Sequence, residues 1–339
     1  MRKIKKKTII LFVLTLVVLY SIIYIVPKVN GAMIPSYIAE YGQLKIYDET
    51  TAYFVRNEKV YLARETGDTN YFFKEGSLVR KGGRIMEVNP NDQTGETDSN
   101  GEPIGPSSEY QRVLDNLGKK TVKRKDYRTK DVGVISYFVD GYEKAITPAN
   151  MKKKGETFFK QLSQKDVMSL RRDSVIKGEP VFKIVDRTEW FLVCFVDLDH
   201  LDRYEEGRRI KVEMEDGQLD ARVYRASKVG DKAKITLRTD YYYEKFAETR
   251  VAEVSLVTYD ESGVIIENNS IAEEKGRQGV YVKGKNDEYF FVPVQVYATD
   301  GEKSLIADDF YYDLEGDGEM VITVEVYDEI LKNAQSKSQ

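Results

Sequence analysis

Residues 8–26 read TIILFVLTLVVLYSIIYIV, nineteen positions without a charge. As a helix rising about 1.5 Å per residue they span roughly 29 Å, the thickness of a hydrocarbon core. Arg2, Lys3, Lys5, Lys6 and Lys7 precede the run and no acid does. That end is expected in the cytoplasm and the bulk of the chain outside it. Ile9, Leu11, Leu14, Val18, Ile22 and Ile25 are the expected lipid-facing anchor residues. A cleaved signal peptide is the alternative, because Val29-Asn30-Gly31 ahead of Ala32 makes a small-residue site. The apolar run exceeds the usual h-region of about 7–15 residues, however, so we read an uncleaved, single-pass anchor in the cytoplasmic membrane.

Beyond the anchor, charge and residue usage exclude more than they assign. The 339 residues hold 52 basic and 56 acidic side chains, and five of the basic ones precede the apolar run. The exterior body is therefore acidic, which argues against a nucleic-acid partner. With one histidine, His200, and one cysteine, Cys194, the chain cannot build a Cys/His zinc site or an internal disulfide. Next to Asp199 and Leu201, His200 is expected in a surface loop. Cys194, inside WFLVCFV at 190–196, is expected as a small buried hydrophobe, and Trp190 as a core aromatic.

Alternating apolar and polar positions dominate the rest, with turn signals every 10–15 residues. Residues 51–55 and 59–62 read as two strands joined by a polar turn, Arg56-Asn57-Glu58. Ile210, Val212 and Met214 lead through Asp216-Gly217 into Leu219, Ala221 and Val223; Gly230-Asp231 then turns into Ile235 and Leu237. Val292, Val294 and Val296, and the run VITVEV at 321–326, continue the pattern. Helices are expected only at 109–117 and 155–172, and no heptad repeat supports a coiled coil. Residues 89–108, rich in Asn, Asp, Gly, Pro and Ser, read as a polar loop. The basic run KKTVKRKDYRTK at 119–130 reads as a solvated segment or, through Lys119, Lys120, Lys123, Arg124 and Lys125, as a contact for an acidic partner or anionic wall polymer.

Catalytic and cofactor chemistry finds no foothold. Asp197 with Asp199, and Glu205 with Glu206, have nothing to set them across a cleft. The stretch from Asp313 to Gly318 starts like a calcium loop, but Val324 stands where an EF-hand needs Glu, and strands flank it. Asn268-Asn269-Ser270 is a sequon in form only, and Gly82-Gly83 lacks the Gly-Lys-Ser/Thr of a P-loop. No enzyme, metal or cofactor is expected.

Three segments carry a resemblance: EGSLVRKGGRI at 75–85, GVISYFVDGYE at 133–143 and VIKGEPVFKIVD at 175–186. In this order behind an anchor they resemble the two halves of the barrel-sandwich, or lipoyl-like, domain of the HlyD-type membrane fusion proteins, also called periplasmic adaptors. Gly76, Gly82, Gly133, Gly141 and Gly178 would be its turn glycines. No lipoyl-lysine motif is present, so the resemblance implies the scaffold without the prosthetic group. The stretch from Trp190 through GRRIKV at 207–212 looks like entry to the family's small β-barrel; GVIIENNSI at 263–271, GVYV at 279–282 and FVPVQV at 291–296 look like its membrane-proximal domain, although Glu267 stands where many relatives have Pro.

The resemblance thus implies a mainly β chain. Residues 1–27 would be the cytoplasmic tail and transmembrane anchor, 28–45 a linker and membrane-proximal strand, and 46–88 with 131–188 the sandwich halves. Residues 189–258 would form the β-barrel, 259–332 the membrane-proximal domain and 333–339 a tail. The family's long helical hairpin between the halves has no room in 89–130, which fits the shortened, Gram-positive-type relatives. The implied role is a non-enzymatic adaptor organising a transporter, efflux or secretion complex, self-associating, and tied to lipid by one helix. An envelope scaffold for cell-wall synthesis or division is the alternative.

Overall fold

The computed structural model describes residues 6–21, 35–90, 105–118, 121–123, 126–241, 243–285, 288–313 and 318–334. The chain forms two compact units, one of residues 47–258 and one of residues 1–46 with 259–339. It is mainly β.

In the larger unit, a single strand organises two cores. We call Glu40–Leu62 β1, Leu78–Val79 β2, Gly133–Ser136 β3 and Pro180–Asp197 β4. The first part of β4 pairs with β1 (Lys183 opposite Val60) and with β3 (Ile184 opposite Ile135). Its register against β1 slips between Val185 and Trp190. Asp186 shapes that irregularity: its carboxylate accepts from the Thr188 amide at 2.9 Å, and its carbonyl accepts from the Trp190 indole N–H at 2.7 Å. Ile184 lies in the first core, with Tyr61, Ile135 and Phe182; Trp190, Leu192 and Cys194 lie in the second. Phe191 and Val193, on the opposite face, pack with Tyr53, Ile146 and Phe159. The run WFLVCFV is unbroken because both of its faces are covered.

The second core is enclosed by a ring of strands. Arg209–Met214 (β5), Gly217–Val229 (β6), Lys232–Thr239 (β7) and Val251–Glu267 (β8) join β4 and β1 in the order β8-β5-β6-β7-β4-β1, and β1 pairs back on β8. Closure leaves this ring without an open edge. Val212, Leu219, Ala221, Val223, Ile235 and Leu237 point inward at alternate positions, as their spacing requires.

The first core is covered by the helix Ser108–Leu117, which buries Tyr110, Val113 and Leu117 at helical spacing. The smaller unit has its own core of Ala39, Val264, Ile266, Val280, Val294, Ile306, Val324 and Ile330. In it Ser36–Ile38 pairs with Glu329–Leu331, and Arg277–Lys283 with Tyr289–Pro293.

Several expectations are corrected. Arg56-Asn57-Glu58 is not a turn; it lies inside β1, because the two charges meet buried counter-ions. The helix at 155–172 shrinks to Glu156–Phe159 and a 3₁₀ turn, Gln164–Asp166. Tertiary contacts take over there: Phe159 is fully buried, and the Gln164 carboxamide oxygen accepts from the Arg250 and Val251 amides. His200 sits in a 3₁₀ turn, Leu198–Arg203, with Nδ1 2.5 Å from Asp48. The strand at 321–326 is only Met320–Ile322. Trp190 and Cys194 are buried as expected.

The helix at the N-terminus is described over Lys6–Tyr20, and residues 12–20 are exposed. Among the described residues no helix is long and apolar enough to cross a membrane. The remainder of the apolar run, with Ile22 and Ile25, lies outside the described residues, as does the 29–32 site.

Candidate functional site

The segments around Gly76 and Gly133 join across two strands. The Gly76 amide donates to the Ile135 carbonyl at 3.1 Å, the Ile135 amide donates to the Ser77 carbonyl at 3.0 Å, and β2 pairs with β3. Tyr137 adds its amide to Glu75 and its hydroxyl to the Phe73 carbonyl. Gly76, Gly82, Gly141 and Gly178 have φ of 74°, 80°, 85° and 97°, the left-handed region that glycine tolerates. Gly133 differs: it is a strand residue, and a Cβ there would lie 2.5 Å from the Val185 carbonyl oxygen. Its glycine serves close backbone approach, not a turn.

Beside this closure, six charged side chains share one buried seam: Arg56 and Glu58 on β1, Lys183 on β4, Arg250 just before β8, and Asp140 and Glu143 on the loop after residue 139. Glu58 Oε1 is 2.9 Å from Arg56 Nε and 2.7 Å from Lys183 Nζ, and Glu58 Oε2 is 2.7 Å from Arg250 Nη2. Arg250 also donates from Nε to Asp140, and from Nη1 to the Phe54 carbonyl at 3.0 Å. Glu143 caps the loop, accepting from the Asp140 and Gly141 amides at 3.0 and 2.9 Å, and stands 3.5 Å from Lys183. Three cations thus face three carboxyls.

Burial alone would raise the Glu58 carboxyl, but Arg250, Arg56 and Lys183 hold it well below the usual carboxylate range. Asp140 is likewise lowered against its burial, by Arg250 and then Lys183. Burial pushes Glu143 up, Asp140 pushes it further, and Lys183 only partly offsets them, leaving it at about 7. Burial lowers Arg56, and Glu58 partly restores it. The seam ties β1, β4, β8 and the 140–143 loop together at the boundary of the two cores. A cleft of about 620 Å³ opens beside it, lined by Glu58, Lys59, Asp131, Glu143, Ile184 and Asp186 among others. Lys59 and Asp131 form an exposed ion pair there at 2.5 Å.

Sequence reading missed the seam, yet a signal existed. Arg56 and Glu58 sit two apart between YFV and VYL, and Lys183 interrupts VFKIV, so strand-length apolar runs carry charges on a core face. The basic segment is only partly described: Lys119, Lys120, Arg124 and Lys125 lie outside, and Lys123 is exposed. Its Val122 is stitched to β1 by hydrogen bonds with Val60 and Leu62. Among the anchor residues, Leu14 and Val18 are exposed on the N-terminal helix; Ile9 and Leu11 belong to it, with side chains outside the described set. Of the calcium-like loop only Asp313 and Gly318 are described. No group of three or more His, Cys, Asp or Glu suited to a metal occurs among the described residues.

Two family models match, and in this order along the chain. Residues 58–186 match the RND-related barrel-sandwich hybrid domain, and residues 190–260 match the RND-related β-barrel domain. The chain belongs to the HlyD-type membrane fusion protein family. The match ends at 186 and resumes at 190, across the register slip in β4 that divides the two cores of this membrane fusion protein. No curated protein sequence matches it. Solved structures similar to it include MacA from Actinobacillus actinomycetemcomitans (9% identity, 88% of this chain and 100% of that one, TM-score 0.37). ZneB from Cupriavidus metallidurans is 10% identical over 88% and 92% of the chains, with TM-score 0.25. The membrane fusion protein Spr0693 from Streptococcus pneumoniae R6 is 9% identical over 62% and 99%, with TM-score 0.26. At such scores the family rests on the two domain models.

Proposed function

We propose that this protein is a membrane-anchored, extracytoplasmic adaptor that organises a transporter, efflux or secretion complex without catalysing a reaction. The observation that carries the reading is the serial match of sandwich and barrel domains on one continuous strand, β4. The uncharged run at 8–26, behind basic residues, supports a single-helix tether with the β body outside the cytoplasm. Self-association and a protein partner follow from the family. A shortened, Gram-positive-type architecture is supported by the 44 residues from 89 to 132, where the described helix has only 10 residues. That short insert also favours a second reading, a scaffold for wall synthesis or division, since no long helical hairpin occurs among its described residues.

In-cell cross-linking followed by purification of the tagged full chain tests both readings. Recovery of permease or ATPase subunits is the expected result. Recovery of wall-synthesis enzymes alone would move the assignment to the scaffold, and recovery of neither would remove the adaptor role.

A further inference from the structure

The barrel carries an arrangement that its fold does not need. Arg209 on β5 lies directly opposite Arg222 on β6, and Arg222 lies directly opposite Arg238 on β7. All three are exposed, and no ion pair or hydrogen bond of theirs occurs among the described residues. Residues opposite one another on adjacent strands have Cβ atoms about 5 Å apart, and like charges so placed are destabilising. The row also stands out in a chain of net charge −4.

The three arginines line one cleft of about 430 Å³, together with Asp220, Ala221, Asp240 and Tyr241. Among the described residues Asp220 and Asp240 close no ion pair with the arginines, and Lys211 lies directly opposite Asp220 on β5. The Thr239 hydroxyl donates to the Asp220 carbonyl at 3.0 Å and accepts from the Tyr241 amide at 3.2 Å. This shapes the strand end that presents Tyr241, a residue 59% exposed.

We propose that the row Arg209–Arg222–Arg238 is a binding site for a phosphoryl group on a carrier bearing hydroxyl or ammonium donors. Guanidinium forks are built for bidentate contact with phosphate oxygens. Three forks side by side across adjacent strands span about 10 Å, more than the two oxygens of one carboxylate use. Asp220 and Asp240 then take the donors of the carrier, and a bound anion relieves the mutual repulsion of the row. A glycerol phosphate unit has this chemistry, whether free or as a phospholipid headgroup.

The test uses the full-length protein in mild detergent, with thermal unfolding as the readout and sodium chloride at matched ionic strength as the control. The probes are sn-glycerol 3-phosphate at 10 mM, and micelles doped with phosphatidylglycerol or with phosphatidylcholine. With a Kd of about 1 mM, the free probe raises the wild-type Tm by about 3–5 °C. Arg222→Gln raises the Tm without probe, by about 1–4 °C, and abolishes the response to probe. Arg222→Lys keeps the charge but loses the fork, and responds weakly. A response to phosphatidylglycerol micelles alone assigns the site to a lipid headgroup; a response to the free probe as well assigns it to the phosphoryl unit itself. The proposal is overturned if no probe shifts the wild type, or if Arg222→Gln responds as the wild type does.

Discussion

Two clusters of charge in the same unit are built on opposite plans. In the seam, Arg56, Lys183 and Arg250 are buried against Glu58, Asp140 and Glu143, and most of their polar atoms have partners. On the barrel exterior, Arg209, Arg222 and Arg238 face one another in the open, without ion-pair partners among the described residues. The seam costs desolvation that mutual attraction offsets only while every member stays. The row costs little desolvation but carries repulsion that Asp220 and Asp240 in the same cleft offset only in part. Charge that a fold neutralises internally holds the fold, and charge left unneutralised at a surface is available to a ligand.

The seam is where the largest effects are expected. Arg250→Met leaves Asp140 and Glu58 buried with too little positive charge, and should cost about 3–5 kcal/mol in urea unfolding. A loss under about 1 kcal/mol would mean that the seam is decoration. Gly133→Ala comes next, because its Cβ would meet the Val185 carbonyl beside the seam. Overpacking at such a contact should cost about 1–3 kcal/mol; a neutral result would mean that β3 and β4 can part freely.

Protonation separates the members of the seam. The Glu143 carboxyl is raised in the fold to about 7 from an unfolded value near 4.5. The folded state therefore holds that proton while the unfolded state has released it. The contribution is whole below pH about 4.5, falls as pH rises, and is gone above pH about 7, a change on the order of 3 kcal/mol. Glu143→Gln should flatten this slope in a pH series of denaturation midpoints. An unchanged slope would place the titration elsewhere. Glu58 and Asp140 run the other way: their lowered carboxyls contribute above the unfolded value and lose that contribution as acid protonates them.

Smaller effects sharpen the contrast. Arg222→Gln should stabilise, by the few degrees given above, whereas neutralising any cation of the seam should destabilise; equal signs would erase the distinction. His200→Gln should matter least, about 0.5 kcal/mol or less, because its contact with Asp48 is partly exposed and Arg203 and Tyr204 also hold that carboxylate. A loss above about 2 kcal/mol would promote this surface contact to a second seam.

Legibility followed how local the cause was. The hairpins around Asp216 and Gly230 and the helix at 109–117 were readable, because turn residues and spacing act within a few positions. Arg56-Asn57-Glu58 was unreadable as strand, since the cations that Glu58 meets, Lys183 and Arg250, lie on segments more than a hundred residues away. The 155–172 segment kept its apolar spacing but not its helix, because Gln164 and Phe159 gain more by binding and packing against other segments than by continuing the helix. Gly133 carries a glycine for a reason visible only once β4 lies beside it. The arginine row needed strand register, since Arg209, Arg222 and Arg238 are separated by turns that decide which residues face each other.

By itself, the order of residues determined a mainly β chain with an apolar N-terminal run, no second cysteine for an internal disulfide, and segments resembling a split sandwich followed by a barrel. These rest on composition, periodicity and turn chemistry, which every residue expresses through its neighbours. Only tertiary structure decided where opposite charges meet and where like charges are forced together. Electrostatic energy depends on distance and burial in space, and separation along the chain does not specify either.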